Sequence, residues 1–437
     1  MNEIQYNPEE LSKIAESEDR YKSLGLRYNP FPESGLAPSI PRWSPLEPLG
    51  GQLWDFVKGL LGSRTYHAGV MLGGYGSGKT YHLLWLKNKL DSVSYPLKAI
   101  YVSSPGVEPY HLVREVIRQI GRSDLVTLIW SLVLPAIREG YKERGRDYLL
   151  DIFYVQYKIG RQTIKPIMDA MMFTEDHLSD HRKFLEQYDR AYLPRERLIE
   201  YVRTLLTSGN TKITDDQKFG QELASIAVFD EYEAETSWRS LTTSKSIYPR
   251  GQESTFLLAV LTLLRKGGYQ YLTLLVDEFE GLLVGGRLSQ RQVNDYLVTL
   301  RHMIDETWQE IPMAFLFACT SLQWDIIKKE LYPAVEDRMV TNKYQEFVIP
   351  TLDSNAVKQI MSNLLQEARL SSVKNPLQPF SADAVNAIPT EFRDTPRTLM
   401  RICHALIELA VVQDKSCIDK GLVGSYASGI GNHRENG

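Results

Sequence analysis

The hydrophobic and polar positions of this 437-residue chain follow two periodicities, and their order along the chain predicts the fold class. Short apolar runs rich in β-branched and aromatic residues predict buried strands, and apolar residues three or four positions apart predict amphipathic helices. Strands that alternate with helices favour an α/β fold with a parallel sheet. The predicted strands are 68–72, 98–103, 271–276, 313–320 and 344–349.

The stretch between the second and third predicted strands, residues 107–250, has a different pattern. Apolar positions recur there at helical spacing, aromatic residues are frequent, and strand signals are nearly absent. We therefore predict a large helical insertion in the α/β core and expect it to carry specificity for a protein partner or a substrate. Its predicted helices are 110–120, 125–142, 147–159, 166–172, 177–188 and 195–206.

Shifts in composition divide the chain into segments. The N-terminal segment is rich in Pro and Gly, and its Asn29-Pro30-Phe31 turn fits either internal packing or an adenine-side pocket. The last segment is rich in Gly and Ser, which predicts a flexible tail. The predicted segments are the N-terminal segment (1–45), the first part of the core (46–106), the insertion (107–250), the second part of the core (251–350), a helical lid (351–420) and the tail (421–437).

Composition and charge narrow the classes of function. The net charge is −4 at pH 7, so the whole chain lacks a basic footprint, and any DNA contact must come from a local patch or a partner. Cys319, Cys403 and Cys417 are too few and too scattered for a disulfide framework or a zinc site. The N-terminus is polar and the longest apolar runs are shorter than a bilayer span, so we expect a cytoplasmic protein with no membrane partner.

The strongest candidate for chemistry directly follows the first predicted strand. Residues 73–80 fit the pattern G-x-x-x-x-G-K-[ST] between a strand and a helix, which is the context that a phosphate-binding loop requires. Its glycines let backbone N–H groups wrap around phosphate oxygens, and the next helix points its N-terminus at the same anion. Lys79 would contact the β- and γ-phosphates, and the Thr80 hydroxyl would bind Mg²⁺. The candidate nucleotide-binding residues of this loop are Gly73, Gly74, Tyr75, Gly76, Ser77, Gly78, Lys79 and Thr80.

Two acidic residues, Asp277 and Glu278, directly follow the third predicted strand. In a parallel sheet this position is the carboxyl edge, where ligands bind. Asp277 would hold Mg²⁺, directly or through water, and Glu278 would orient and polarise the attacking water. The alternative is a strand that simply ends in solvated acids.

Two further candidates lie near the ends of later strands. Thr320, with Ser321 as the second choice, ends the fourth predicted strand and could sit between a γ-phosphate and the attacking water; the alternative is a cap at the strand end. Arg338 precedes the last strand and could stabilise γ-phosphate charge in a neighbouring subunit. For Arg338 the alternative is a surface pairing with Glu336 or Asp337.

A third candidate, Arg397, begins a predicted helix directly after Pro396, a residue that suits the first helical turn. It could reach a nucleotide from the lid, and the alternative is a solvated arginine. His177 and His181 are four residues apart on a predicted helix, but no glutamate accompanies them as in a zinc-protease helix, so we do not expect a metal there.

Taken together, these stretches resemble the AAA+ ATPases over about 46–106, 251–350 and 351–415. The resemblance implies a P-loop NTPase fold of the AAA+ type, ATP and Mg²⁺ as cofactors, ATP hydrolysis, and a homo-oligomeric ring or filament. It places Walker A at 73–80, Walker B at 272–278, sensor 1 at Thr320, the arginine finger at Arg338 and sensor 2 at Arg397.

Three details resemble particular branches of that family. The Pro396-Arg397 pair is similar to the initiator (origin-recognition-like) clade, and residues 24–31 resemble the N-terminal motif of transposition-regulator and secretion-type ATPases. The sequences around both Walker motifs and Arg338 are similar to ATPases of phage-defence systems such as BREX. The resemblance implies a switch in a prokaryotic DNA-related process, either transposition targeting or antiviral defence.

Two departures from the family pattern bear on activity. Sensor 1 is often Asn, whereas Cys-Thr-Ser stands here, and sensor 2 usually follows Gly-Asn, whereas Asp-Thr precedes it here. These departures imply slow or partner-dependent hydrolysis. The sequence also ends soon after the lid, so we do not expect DNA contact through the winged helix of initiator relatives. The alternatives are a nucleotide-stabilised adaptor, a signalling NTPase with little turnover, or a protein-remodelling ATPase with an aromatic pore loop near Tyr110.

Overall fold

The structure is a computed structural model of the chain. The predictions for Arg338 and for helix 166–172 lie outside the residues that it describes. Those residues are 20–34, 48–63, 67–145, 148, 152, 157–159, 162–164, 173–190, 193–229, 231–244, 247–248, 252–282, 289–307, 311–325 and 345–434.

A five-stranded parallel sheet with the order β2-β5-β6-β1-β7 forms the α/β core. Its inner strands β5 and β6 are buried at every position, as expected where helices cover both faces of a parallel sheet. Strands β2, β5 and β6 lie on one side of β1, and β7 lies on the other side. The strand order therefore reverses at β1, which makes it a topological switch point. The described strands are β1 (His67–Leu72), β2 (Leu97–Val102), β3 (Tyr157–Ile159), β4 (Gln162–Ile164), β5 (Tyr271–Val276), β6 (Met313–Cys319) and β7 (Gln345–Val348).

Helices connect these strands, fill the insertion and form the C-terminal region. The parallel sheet, the strand–loop–helix unit of β1, residues 73–80 and α2, and the helical segments confirm the predicted α/β class. The described helices are α1 (Leu49–Ser63), α2 (Lys79–Asp91), α3 (Pro109–Ile120), α4 (Arg122–Arg144), α5 (His181–Arg190), α6 (Arg195–Thr207), α7 (Gln217–Val228), α8 (Glu231–Thr243), α9 (Glu253–Lys266), α10 (Gln290–Thr307), α11 (Ser354–Ala368), α12 (Ala382–Ala387), α13 (Pro396–Val412) and α14 (Lys420–Arg434).

The structure differs from the sequence prediction at two places. The predicted helix 147–159 is wrong at its end, where β3 pairs with β4 as an antiparallel hairpin and Ile159 lies opposite Gln162. The predicted flexible tail instead begins with helix α14. Its Gly-rich composition is offset because Leu422 and Val423 are both 1% exposed and Asp419 accepts a hydrogen bond from the Leu422 N–H.

The described residues group into two compact units. The first unit draws on 1–54, 71–88 and 346–437, and the second on 55–70 and 89–345. The segment boundaries proposed from the sequence stay a prediction. Within the described ranges no single helix is long and apolar enough to cross a bilayer; α3 and α4 meet those criteria only as a pair, bent by 83°.

In the first unit, the N-terminal segment packs into the core of the C-terminal helices. Leu24, Leu26 and Phe31 are almost fully buried in the hydrophobic cluster that α11, α13 and α14 form. Phe31 meets Phe380 edge-on, with ring centroids 6.1 Å apart. The Asn29 side chain donates to the His404 carbonyl at 3.2 Å. Asn29-Pro30-Phe31 is therefore a packing turn.

A cluster of donors around Glu408 attaches this N-terminal segment to α13. Arg20, Tyr21 and Asn29 all donate to the Glu408 carboxylate, Tyr21 at 2.7 Å and Asn29 at 2.8 Å. Partial burial raises the pKa of Glu408, but the hydrogen bonds and the Arg20 charge outweigh that effect, and the net pKa is lowered. Burial and the Glu408 carboxylate raise the pKa of Tyr21 to about 12. The segment therefore meets α13 through charge-assisted contacts as well as apolar packing.

The second unit contains β2, β5, β6 and the described insertion helices. Rings fill the space between those helices, and the Trp130 indole donates to the Ala227 carbonyl at 2.8 Å. Phe184 packs against Trp130 at 5.6 Å, and Phe219 against Phe256 at 5.0 Å. Trp130 and Phe184 therefore pack inside the insertion, and Phe219 packs the insertion against Phe256 of α9.

We expect Phe31→Ala to lower the free energy of unfolding by about 3–5 kcal/mol, because the ring is buried and leaves a cavity. Tyr28→Ala is the control, since Tyr28 is 47% exposed and its loss should cost within about 0.5 kcal/mol. Chemical denaturation of the two variants measures both values. Equal losses would contradict the packing role of the Asn-Pro-Phe turn.

Candidate functional site

The predicted phosphate loop, residues 73–80, joins β1 to α2 in the first unit. Lys79 is 9% exposed, and its Nζ donates to the carbonyls of Gly73 at 2.9 Å and Gly74 at 3.3 Å. The same Nζ lies 5.6 Å from the centroid of the Tyr75 ring, which is 64% exposed. The loop backbone therefore holds the amine in place within the loop.

Two glycines of this loop have left-handed backbone conformations that other residues adopt at a cost. Gly76 has φ +78° and Gly78 has φ +99°. A Cβ on Gly76 would lie 2.8 Å from the Arg397 Cβ, and one on Gly73 would lie 2.4 Å from the Ser77 Oγ. The Ser77 Oγ is buried and has no hydrogen-bond partner among the described residues. A compact loop with an unpaired hydroxyl suits an anion as its ligand.

The His82 side chain, from α2, contacts the backbone of this loop. Its Nδ1 lies 2.7 Å from the Gly78 carbonyl oxygen. Burial lowers the pKa of His82, and the bond to Gly78 offsets that effect only in part. The ring is therefore neutral, and Nδ1–H donates to Gly78 because a carbonyl can only accept. This contact helps to hold Gly78 in its left-handed conformation.

The start of α13 lies directly against the same loop. Thr395 caps the helix in a reciprocal pair with Thr398, and Pro396 occupies the first turn as predicted. The Arg397 N–H donates to the Gly76 carbonyl at 3.3 Å. The loop therefore receives the N-terminal ends of two helices, α2 and α13, and both favour negative charge. The structure thus brings Arg397 to the phosphate loop, with its side chain exposed.

In the second unit, Asp277 is 3% exposed, and both of its carboxylate oxygens accept hydrogen bonds. The Glu278 N–H donates to Oδ1 at 2.9 Å and the Tyr101 hydroxyl donates to Oδ2 at 3.0 Å. Burial and the Asp277 carboxylate raise the pKa of Tyr101, so the phenol keeps its proton. The Asp277 N–H continues the sheet pairing to the Val102 carbonyl at 2.8 Å.

Glu278 has φ +47°, a left-handed conformation that is uncommon for a residue with a side chain. Such strain costs on the order of 1–3 kcal/mol and clusters at functional positions. The side chain itself is exposed, in contrast to that of Asp277. The strained backbone is consistent with a role in which the Glu278 carboxylate must face a ligand.

Thr320 is 7% exposed at the end of β6, the strand between β5 and β1. Its Oγ1 accepts a hydrogen bond from the Gln323 N–H at 3.4 Å, and its carbonyl accepts one from the Trp324 N–H at 2.9 Å. The hydroxyl therefore takes part in capping the turn after the strand, as the structural alternative for Thr320 requires. Its role toward a nucleotide stays a prediction.

Arg338 lies outside the described residues. His177 and His181 have separate local partners, since the Thr174 N–H donates to the His177 Nδ1 at 3.1 Å and the His181 ring stacks on Trp130 at 6.0 Å.

Sequence reasoning missed two residues that contact site groups, His82 and Tyr101. For Tyr101 a signal was present, because a partly buried phenol at the end of a strand normally has a hydrogen-bond partner.

The residues present fit a nucleoside triphosphate with Mg²⁺. The loop supplies backbone donors, a lysine and the unpaired Ser77 hydroxyl, which suit phosphate. Thr80 in the first unit and Asp277 in the second each carry the kind of oxygen that Mg²⁺ prefers. Among the described residues no group of three or more His, Cys, Asp or Glu side chains is placed to hold a metal. A Mg²⁺ ion held by one or two protein oxygens plus phosphates needs no such group.

No protein-family model matches the chain, and no curated protein matches it. Among solved structures, the chain is similar to the Aeropyrum pernix ORC2 protein in ADPNP–ADP complexes, with 12% identity over 89% of this chain and 70% of that one, at a TM-score of 0.47. The ADP form of that ORC2 protein has 12% identity over 89% of this chain and 71% of that one, at a TM-score of 0.45. The Aeropyrum pernix ORC1 protein in complex with DNA has 13% identity over 90% of this chain and 67% of that one, at a TM-score of 0.42. Likeness at this level carries no argument about activity or partners.

We expect Gly76→Ala to lower the affinity for ATP at least about tenfold, which corresponds to about 1.4 kcal/mol. The added Cβ meets Arg397, and a left-handed alanine itself costs roughly 1–2 kcal/mol. Gly74→Ala is the matched control, since a Cβ there would meet nothing within 4 Å and both Gly74 carbonyl contacts remain. Fluorescence titration with a labelled ATP analogue measures both. A Gly74→Ala loss as large as that of Gly76→Ala would contradict the proposed contact.

Proposed function

We propose that this protein is an AAA+ ATPase that acts as an ATP-dependent oligomeric switch. The observation that carries the proposal is the contact between the phosphate loop and the start of α13, where the Arg397 N–H bonds the Gly76 carbonyl at 3.3 Å. A helix that begins on the phosphate loop can respond to the phosphates bound there. The lid helix would therefore sense the nucleotide state.

In this proposal each candidate residue has one role. Lys79 and the loop N–H groups bind the phosphates, and Arg397 contacts them from the lid. Asp277 and Thr80 hold Mg²⁺, which when bound neutralises charge on the β- and γ-phosphates. Glu278 orients and polarises the attacking water.

The wider role is a prokaryotic DNA-related process, either transposition targeting or antiviral defence, on the strength of the sequence resemblance alone. The helical insertion would dock a protein partner, and DNA contact would arise in the assembly. Arg338 would act in a neighbouring subunit, which links assembly to hydrolysis. The site of action would be the cytoplasm.

The second candidate is a nucleotide-stabilised adaptor or signalling NTPase with little turnover. The arrangement of Thr320 favours it, because the hydroxyl takes part in capping the turn toward Gln323. A hydroxyl that accepts this bond keeps its own proton but has one lone pair fewer for a bound water. Measured turnover, alone and with duplex DNA, distinguishes the two candidates.

We expect Lys79→Ala to lower ATP affinity at least about tenfold, and Glu278→Gln to bind ATP but lose about 10²- to 10⁴-fold in turnover, because it lacks the general base. Lys89→Ala, at the exposed end of the same helix, is the control and should match the wild type. Equilibrium binding and phosphate release measure both. The proposal fails if the wild type binds no ATP, or if Lys79→Ala behaves like the wild type.

We expect Arg338→Ala to bind ATP and hydrolyse it slowly, with a loss of about 10³-fold or more if the arginine acts in trans. Mixing it with Glu278→Gln should restore turnover, because a Glu278→Gln subunit supplies Arg338 to a neighbour that retains Glu278. Arg401→Ala, an exposed arginine on α13, is the control. Light scattering with and without ATP and duplex DNA measures assembly. A monomer under every condition, with no restoration on mixing, would remove the trans role.

A further inference from the structure

The orientation of the Asp277 carboxylate depends on a residue from another strand. Strand β2 is paired in parallel with β5, with Tyr101 opposite Leu275 and Val102 opposite Val276. Side chains of paired residues point to the same face, and so do those of residues two apart on one strand. Tyr101 and Asp277 therefore share a face of the sheet. That diagonal separation is within reach of an aromatic side chain.

The Tyr101 hydroxyl contacts the Asp277 carboxylate across this distance. It donates to Asp277 Oδ2 at 3.0 Å, while the Glu278 N–H donates to Oδ1 at 2.9 Å. The Glu278 N–H contact alone would leave the carboxylate free to tilt about its last bond. Two donors on different oxygens, one from each of two chain segments, define the plane of the carboxylate.

We propose that Tyr101 is a positioning residue that orients the Asp277 carboxylate for Mg²⁺ in the nucleotide complex. The inference rests on the proposed function, since it concerns the Mg²⁺ that accompanies ATP. Groups that hydrogen-bond a metal ligand set its direction, and their loss typically costs about 10–100-fold in metal affinity or activity. Tyr101 contributes one hydroxyl in this role and does not itself touch the nucleotide.

The chain offers a matched control in Tyr296. This phenol is 2% exposed in the same unit, and its hydroxyl donates to the Pro105 carbonyl at 3.1 Å. Tyr101→Phe and Tyr296→Phe therefore each remove one hydroxyl that donates across the fold. Only the first removes a donor from Asp277. A general effect of a lost phenol would move both variants, whereas an effect on metal orientation would move only Tyr101→Phe.

The test is equilibrium binding of ATP as a function of Mg²⁺ concentration, with EDTA as the metal-free limit. We expect Tyr101→Phe to raise the Mg²⁺ midpoint about tenfold or more, with ATP affinity in EDTA unchanged within about twofold. Tyr296→Phe should keep the wild-type midpoint. Asp277→Asn should move the midpoint further, and adding Tyr101→Phe to it should cause no additional shift, because both changes act through one carboxylate.

Three outcomes would overturn the inference. If Tyr101→Phe keeps the wild-type midpoint, the hydroxyl has no influence on the metal. If both phenylalanine variants shift the midpoint equally, the effect belongs to packing in general. If the wild type binds no ATP at any Mg²⁺ concentration, the proposed function fails and takes this inference with it. If ATP binding by the wild type depends on Mg²⁺ and Tyr101→Phe has the same Mg²⁺ midpoint, the proposed function stands and only the role of Tyr101 is removed.

Discussion

The contact between Gly76 and the first turn of α13 is the constraint on which the first unit depends. It requires a residue with no side chain, because a Cβ at that position would lie 2.8 Å from the Arg397 Cβ. The contact also requires that α13 starts at a fixed position, and the Thr395 cap and Pro396 fix that start. The loop of residues 73–80 and the start of α13 therefore constrain each other's position.

The same helix links the loop to the N-terminal segment. Its first turn lies on the loop, and eleven residues later Glu408 accepts hydrogen bonds from Arg20, Tyr21 and Asn29. The Asn-Pro-Phe turn therefore packs against the same seventeen-residue helix whose first turn contacts Gly76.

In the second unit, acidic side chains lie at the end of a buried strand. The strand β5 is fully buried and apolar, and the burial of its side chains stabilises an edge where Asp277 is nearly enclosed. An enclosed carboxylate needs donors, and Tyr101 and the Glu278 N–H supply them. The strained backbone of Glu278 is held by its neighbours on both sides, including the bond from the Gly281 N–H to the Glu278 carbonyl.

The sequence by itself determined the parallel sheet, the loop at residues 73–80 and the acids that end β5, because these features depend on neighbours along the chain. Periodicity and local motif spacing carry that information. Only the tertiary structure decided that Phe31 is a core residue, that residues 420–434 are helical and that Tyr101 bonds Asp277. Those outcomes depend on residues far apart in the sequence, 176 positions in the case of Tyr101 and Asp277, and no local pattern encodes which side chains packing brings together.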